Sequence, residues 1–283
     1  MDPDLRAAAL RGDLAALCRA LNDGADPRLT DDDGDTVLHY AASNGHVHCV
    51  ELLALNGADM NAVNSGYRTP LNMAAASGHV AVIRALLAAG ADVQARCRLL
   101  MLDDAGVETG EFIETPTALH WATRHGTAEA VEVLLAAGAS AVINAESHYA
   151  TFADFPTALD QAMNRYRFEA EVIVRGSPRP RPRVRRNRIL PLLVRAGATI
   201  SERYADRSDY LKAVLEAGGI RAYEKQHRST LANILNRGNR LPTDVIPKIV
   251  DYWAHVGWYA IEKDEREYMY SDSELDEEGS FGS

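Results

Sequence analysis

The chain has 283 residues, 47% apolar and 25% charged, a composition typical of soluble globular proteins. Its formal net charge of −10 disfavours nonspecific binding of the whole molecule to nucleic acid or to anionic membranes. The acidic start MDPDLRAAAL is unlike a signal peptide, and the lack of any run of roughly 18 apolar residues argues against a transmembrane helix. Three scattered cysteines form no Cys-x-x-Cys pair, so we expect a reducing compartment, the cytoplasm or the nucleus.

A repeating unit organises most of the sequence. In residues 69–92, TPLNMAAASGHVAVIRALLAAGAD, a Thr-Pro pair opens a short apolar helix, a glycine interrupts it, and a second apolar helix ends at another glycine. A fixed period of this kind is typical of stacked repeat architectures. The closing glycines recur twice at intervals of 33 residues and then at intervals of 48 and 59, at Gly24, Gly57, Gly90, Gly138 and Gly197.

The opening leucines define the same units and locate the insertions. In four units the leucine lies 19 residues before the closing glycine, at Leu5, Leu38, Leu71 and Leu119. Leu159 and Leu211 open a fifth and a sixth unit. The longer intervals predict insertions near residues 96–114 and 168–188, and a shorter one near 146–152.

These motifs resemble the ankyrin repeat, with a TPLH-like start, a Gly-His pair, a double leucine and a closing Gly-Ala-Asp. The resemblance implies an all-α solenoid of about six helix-turn-helix units with hairpin loops over residues 1–219. Its first 30 residues are interpreted as an N-terminal cap, because a terminal repeat needs a polar outer face. We expect a helical cap or adaptor segment at 220–261, with a long amphipathic helix at 222–236, and a disordered acidic tail at 262–283.

The fourth position of the TPLH-like start carries the most evident polar candidates: His39, Asn72, His120 and Asp160. In ankyrin repeats the histidine at this position holds the turn by hydrogen bonds. The repeat spacing separates these residues by about one unit each, so they do not converge as catalytic groups or metal ligands. No phosphate-binding loop, dinucleotide fingerprint or nucleophile elbow is present. We therefore expect no enzymatic activity, no cofactor and no metal site.

The resemblance also implies a partner-binding face made of hairpin tips and the exposed sides of the first helices. An acidic tip favours a basic partner segment, and an apolar and aromatic stripe follows the first helices. The alternative is that these side chains pack against neighbouring hairpins. The predicted partner-binding residues are Asp33, Asp35, Tyr40, Asn44, Arg68, Met73, Ser77, Trp121, Arg124, His125 and Gln161.

An arginine- and proline-rich stretch, RGSPRPRPRVRRNR, lies in the second large insertion. It can be a solvated loop, a nuclear-localisation or nucleic-acid patch, or an internal partner of the acidic tail. Binding to nucleic acid is therefore an alternative function, although the net charge makes nucleic acid a disfavoured partner. The predicted basic patch comprises Arg179, Arg181, Arg183, Arg185, Arg186 and Arg188.

The C-terminal stretch LPTDVIPKIVDYW resembles the start of an F-box and, with the helix before it, faintly a SOCS box. Either would make the chain a substrate-recognition adaptor of a ubiquitin ligase; the alternative is a helix that caps the last repeat. The residues expected to bind a ligase scaffold are Leu241, Pro242, Val245, Ile249 and Trp253. The favoured interpretation is a noncatalytic protein–protein interaction scaffold, which we expect to be monomeric.

Overall fold

The computed structural model describes residues 1–96, 98–102, 108–147, 156–163, 188–201 and 208–237. The chain divides into two compact bodies. The repeat body comprises Met1–Pro178 with Ala196–Ala198, and the C-terminal body comprises Arg179–Arg195 with Thr199–Ser283. Among the helices in these described ranges, none is long and apolar enough to cross a membrane.

The repeat body is built from successive helix pairs. In chain order these are α1 (Pro3–Arg11) and α2 (Leu14–Asn22), α3 (Val37–Ser43) and α4 (Val47–Leu55), α5 (Pro70–Ser77) and α6 (Val80–Ala88), and α7 (Ala118–His125) and α8 (Ala128–Ala136). A short 3-10 helix (Ala139–Val142) follows, and residues 158–163 are again helical (α9). First helices pack on first helices and second helices on second helices along the stack. The predicted helical repeat solenoid is confirmed.

Each first helix starts at a residue that can cap it. Asp2 accepts hydrogen bonds from the backbone N–H groups of Asp4 and Leu5 at the start of α1. Thr69 caps α5, with Pro70 in the first turn, where a missing N–H costs nothing. Thr36 and Thr117 form capping boxes at α3 and α7. The TPLH-like starts are therefore helix N-termini.

Small side chains allow the helices to approach each other closely. Seven alanines in α1, α3, α5 and α7 are completely buried: Ala8, Ala9, Ala41, Ala42, Ala74, Ala75 and Ala122. The leucine four residues before the closing glycine is also completely buried in three repeats, at Leu53, Leu86 and Leu134. Each such leucine stabilises the fold by roughly 1.5–3 kcal/mol. The adjacent leucine of each pair is only partly buried, because successive helical residues point about 100° apart.

The first large insertion forms a β-hairpin, which the sequence analysis located but did not assign as strands. Strand β1 (Arg98–Leu102) pairs antiparallel with β2 (Glu108–Glu114), with Arg98 opposite Glu114. The register is irregular between Leu100 and Leu102. At the base of the hairpin Arg96 forms an ion pair with Glu114. The finger loop that precedes α7 is thus extended as a two-stranded ribbon.

The C-terminal body contains α10 (Ile189–Arg195), α11 (Asp209–Glu216) and α12 (Ile220–Arg237) within its described part. Ser208 caps α11, and α11 packs on α12 with the rings of Tyr210 and Tyr223 edge to face at 5.7 Å. Arg195 Nε donates to Glu224 Oε1 at 2.5 Å. The helix predicted at 222–236 is present as α12.

Candidate protein-interaction surface

The turn before α3 is held by a buried histidine. His39 Nδ1 accepts from the backbone N–H of Thr36 at 3.1 Å and lies 2.9 Å from its hydroxyl oxygen. Nε2 then carries the proton, and it lies 3.0 Å from the carbonyl oxygen of Arg68 in the next repeat. Burial lowers the pKa of His39, because it disfavours the charged imidazolium. His39 is a neutral structural residue that links two finger loops.

The other members of this series also act structurally. His120 repeats the arrangement with Thr117 and reaches the carbonyl oxygens of Pro156 and Ala145 at 2.9 and 3.0 Å. Burial lowers its pKa to about 4. Asp160 accepts from the backbone N–H of Thr157 at 3.0 Å, and the side-chain amide of Asn72 donates to a carbonyl oxygen 3.5 Å away. The structural interpretation of these four residues is confirmed.

A second pair of histidines, His46 and His79, joins the second and third helix pairs each to the pair before it. His46 Nε2 lies 3.1 Å from the carbonyl oxygen of Leu10, and His79 Nε2 lies 3.0 Å from that of Ser43. The His79 ring covers Gly45 so closely that a Cβ there would lie 2.8 Å from Nδ1. In the described residues we find no group of three or more His, Cys, Asp or Glu side chains that could hold a metal ion.

The first finger loop (residues 26–36) contains a network of charge and aromatic contacts. The Tyr40 hydroxyl donates to the Asp31 carboxylate, and Arg6 lies over the Tyr40 ring at 4.9 Å and 3.8 Å from Asp31 Oδ2. Partial burial alone would raise the pKa of Asp31, but hydrogen bonds from Tyr40 and the backbone, with the Arg6 charge, hold it below its usual value. Burial and the Asp31 contact raise the pKa of Tyr40 to about 12.

The first two finger loops are joined side by side. Asn64 Nδ2 donates to Asp35 Oδ1 at 2.8 Å, and the backbone N–H of Ser65 donates to the carbonyl oxygen of Asp33 at 2.9 Å. Asp35 is half-buried and belongs to this link, whereas the Asp33 side chain is exposed. The fingers therefore present their tips from a hydrogen-bonded base.

A cation–π contact connects the second finger (residues 59–69) with the fourth helix pair. The guanidinium of Arg68 lies over the Trp121 ring at 4.4 Å from its centroid. Trp121 is only 7% exposed, although it begins the outward-facing set of α7 residues with Arg124 and His125, both exposed. The Arg68 side chain thus forms the surface where the tryptophan was expected.

Comparison with known families identifies the repeating unit. A family model of three consecutive ankyrin repeats matches residues 5–97, and a single ankyrin-repeat model matches residues 117–148. These residues are ankyrin repeats. Among curated proteins, none matches the chain. Ankyrin repeats are protein–protein interaction modules and are generally noncatalytic.

Only some of the residues predicted to bind a partner have exposed side chains in the ankyrin repeats. Asp33, Asn44, Arg124 and His125 are exposed, and Asp35, Tyr40, Arg68, Met73 and Ser77 are half-buried. The expectation of exposed side chains at Trp121 and Gln161 is wrong. Arg68 covers the ring of Trp121, and Gln161 is 1% exposed in a helical segment, 158–163, whose residues are all buried.

Two residues of the ankyrin surface were missed by the sequence analysis. Arg6 stacks on Tyr40 from the first helix, and Tyr67 is 41% exposed at the tip of the second finger. Tyr67 has φ of +58°, in the left-handed region that non-glycine residues rarely adopt. The repeat register could have indicated this backbone conformation, because the residue 33 positions before Tyr67 is a glycine, Gly34, which has φ of +73°.

Several predicted sites lie outside the described residues: Leu241, Pro242, Val245, Ile249 and Trp253, the arginines Arg179, Arg181, Arg183, Arg185 and Arg186, and the acidic tail at 262–283. Arg188 is described; it is exposed and immediately precedes α10.

Proposed function

We propose that the chain is a noncatalytic scaffold that binds a protein partner on the concave face of its ankyrin repeats, through the finger tips and the first helices. The observation that carries the proposal is Tyr67. Holding a tyrosine in the left-handed region costs about 1–3 kcal/mol, and such strain is found most often at functional sites. At this tip it leaves an aromatic side chain 41% exposed, and tyrosines are frequent hot spots of protein interfaces.

The surroundings of Tyr67 support a binding role. Asp32 and Asp33 are exposed on the neighbouring tip, so polar groups border the aromatic side chain. The links from Asn64 to Asp35 and from Ser65 to Asp33 fix the two fingers relative to each other. A surface that is already ordered loses little conformational entropy when a partner binds, which favours affinity.

The test is quantitative affinity purification from cell lysate with the full chain, Tyr67→Ala, and the control Leu55→Ala. Leu55 is 86% exposed at the end of α4, a second helix. The Leu55→Ala substitution therefore removes exposed apolar surface from the second helices and leaves the fingers and first helices unchanged. We expect Tyr67→Ala to lose at least one partner that the wild type and Leu55→Ala both retain. Equal recovery of every partner by all three proteins would contradict the proposal.

The ubiquitin-ligase adaptor function is an alternative that rests on the sequence LPTDVIPKIVDYW. The same purification with a chain lacking residues 240–283 tests it, because scaffold components of a ligase should disappear while finger-dependent partners remain. Recovery of the same partners by both chains would favour a simple cap. Binding of nucleic acid through the arginine-rich stretch predicts a steep loss of affinity with salt. We place the protein in the cytoplasm, the nucleus or both.

A further inference from the structure

The Arg68 guanidinium lies over the Trp121 ring, and its N–H donors are available for a further contact. Its backbone N–H donates to Asn64 Oδ1 and its carbonyl oxygen is bonded to His39, but these bonds do not involve the side chain. Across the described ranges, the guanidinium contacts the Trp121 ring and forms no hydrogen bond or ion pair. The guanidinium carries five N–H donors, and within the described residues none of them has a hydrogen-bond acceptor.

A second arginine–aromatic contact in the chain, between Arg6 and Tyr40, includes a carboxylate that the Arg68–Trp121 contact lacks. Tyr40 and Trp121 each lie two residues after the opening leucine of their repeat, and each is covered by an arginine from the preceding repeat. In the first case Asp31 provides a carboxylate oxygen 3.8 Å from the Arg6 guanidinium. Asp31 lies seven residues before its opening leucine, whereas the same count from Leu119 gives Phe112. At this position the later repeat offers no acid.

A second arginine lies on the same side of α7 as Trp121, and the Arg68 side chain itself is partly shielded from solvent. Arg124 follows Trp121 by three residues on α7, a spacing that puts both on one side of the helix, and its side chain is exposed. The Arg68 side chain is half-buried, so a charge bound to it is less screened by solvent than one at a fully exposed arginine.

We infer that Arg68, held over the Trp121 ring, is a receptor for the carboxylate of an Asp or Glu side chain in the protein partner. The inference rests on the proposed function and adds the chemistry of the ligand at this position. The fork of guanidinium N–H donors matches the two oxygens of a carboxylate, and such charge-assisted pairs are among the stronger hydrogen bonds. Stacking on Trp121 orders the arginine before the partner arrives, so less rotamer entropy is lost on binding.

A peptide-display selection on the folded full chain tests the inference without a known partner. A random 12-residue library is selected on the wild type, on Arg68→Gln and on Arg6→Gln. Arg6→Gln is the matched control, because Arg6 is also stacked on an aromatic ring but already has Asp31 beside it. We expect Asp and Glu to be enriched in the pools from the wild type and Arg6→Gln, and the enrichment to disappear with Arg68→Gln. Equal acid content in all three pools would overturn the inference.

Individual acidic peptides from the wild-type pool then give affinities by titration calorimetry. We expect Arg68→Gln to weaken binding about tenfold or more, since losing a hydrogen bond to a charged group has effects of this size. Arg68→Lys keeps the charge but loses the fork, so a smaller loss of about threefold or more is expected. If Arg68→Gln does not fold, Arg68→Lys decides the question, and unchanged affinity for that variant would overturn the inference.

The failure of this inference can be distinguished from the failure of the proposed function. Peptides whose binding depends on Tyr67 but that contain no enriched acid overturn the carboxylate receptor and leave the binding function intact. A selection with no peptide dependent on Tyr67 or Arg68 counts against both. A further arm uses the full chain with the acids of residues 262–278 replaced by their amides. Acid enrichment in that arm alone would show that the chain's own acidic tail occupies Arg68. This result would overturn the inference that the carboxylate comes from a separate partner.

Discussion

The imidazole Nε2 of His39 lies 3.0 Å from the backbone carbonyl oxygen of Arg68, 29 residues later in the chain. Its other nitrogen holds the turn at Thr36. One buried side chain therefore caps a helix and fixes the finger that carries both Tyr67 and Arg68. His120 forms the equivalent link between Thr117 and Pro156.

Removing the His39 link should destabilise the repeats. His39→Ala leaves the carbonyl oxygen of Arg68 and the N–H of Thr36 without their partner and creates a cavity in the turn. We expect the free energy of unfolding to fall by about 2–3 kcal/mol in urea denaturation. The control is His48→Ala, since His48 is exposed on α4 and makes only a surface contact with Glu51; that change should alter stability by less than about 0.5 kcal/mol. Equal effects of the two substitutions would contradict the structural role.

The buried histidines should make the fold sensitive to acid. Because the pKa of His120 is lowered to about 4 in the folded state, the unfolded chain binds more protons between pH 4 and its ordinary value near 6.5. Stability from this group is complete above the unfolded pKa and is lost as the pH falls from about 6.5 to about 4, by up to about 3 kcal/mol. Urea denaturation at a series of pH values measures the slope. His120→Asn, which cannot titrate, should flatten the curve, and an unchanged slope would show that His120 is not responsible.

Tyr67 should show opposite effects on stability and on binding. Tyr67→Gly removes the strain of a positive φ, so we expect the free energy of unfolding to rise by about 1 kcal/mol. The same change deletes the exposed aromatic side chain and should weaken partner binding. Gly34→Ala is the converse test in the first finger: it adds a Cβ at φ of +73°, 2.8 Å from the backbone nitrogen of Ser65, and should destabilise the protein. Lower stability of Tyr67→Gly would show that the tyrosine backbone is not strained.

Gly45 and His79 should be energetically coupled. A Cβ at Gly45 meets the His79 ring at 2.8 Å, and the backbone there has φ of +80°. We expect Gly45→Ala to cost about 2–3 kcal/mol, from the clash and the backbone together. In a double-mutant cycle with His79→Ala the clash disappears, while the backbone strain stays. A coupling energy of at least about 0.5 kcal/mol is expected, and strict additivity would contradict the contact.

Some features of this protein are determined locally and could be predicted from the sequence. The intervals between closing glycines and opening leucines located the helix pairs and the insertion that forms the β-hairpin, because caps, helix periodicity and left-handed turns depend on neighbouring residues. The structural role of His39 and its equivalents also followed from the motif, since half of each histidine's contacts lie within its own turn. The strands at Arg98–Leu102 and Glu108–Glu114 were not assigned, because their pairing gives no repeat periodicity.

The exposure of individual surface residues was decided by the tertiary structure. Register placed Tyr40, Met73 and Trp121 in one row, but it could not show that Arg68 lies over Trp121 or that Arg6 lies over Tyr40. These contacts join residues 53 and 34 positions apart in the chain. The sequence by itself determined the repeats, their helices and their turns, because those depend on short-range hydrogen bonds and burial periodicity. Only the stacking of one repeat on the next decided which arginines lie on which rings, and so which charged groups the surface presents to a partner.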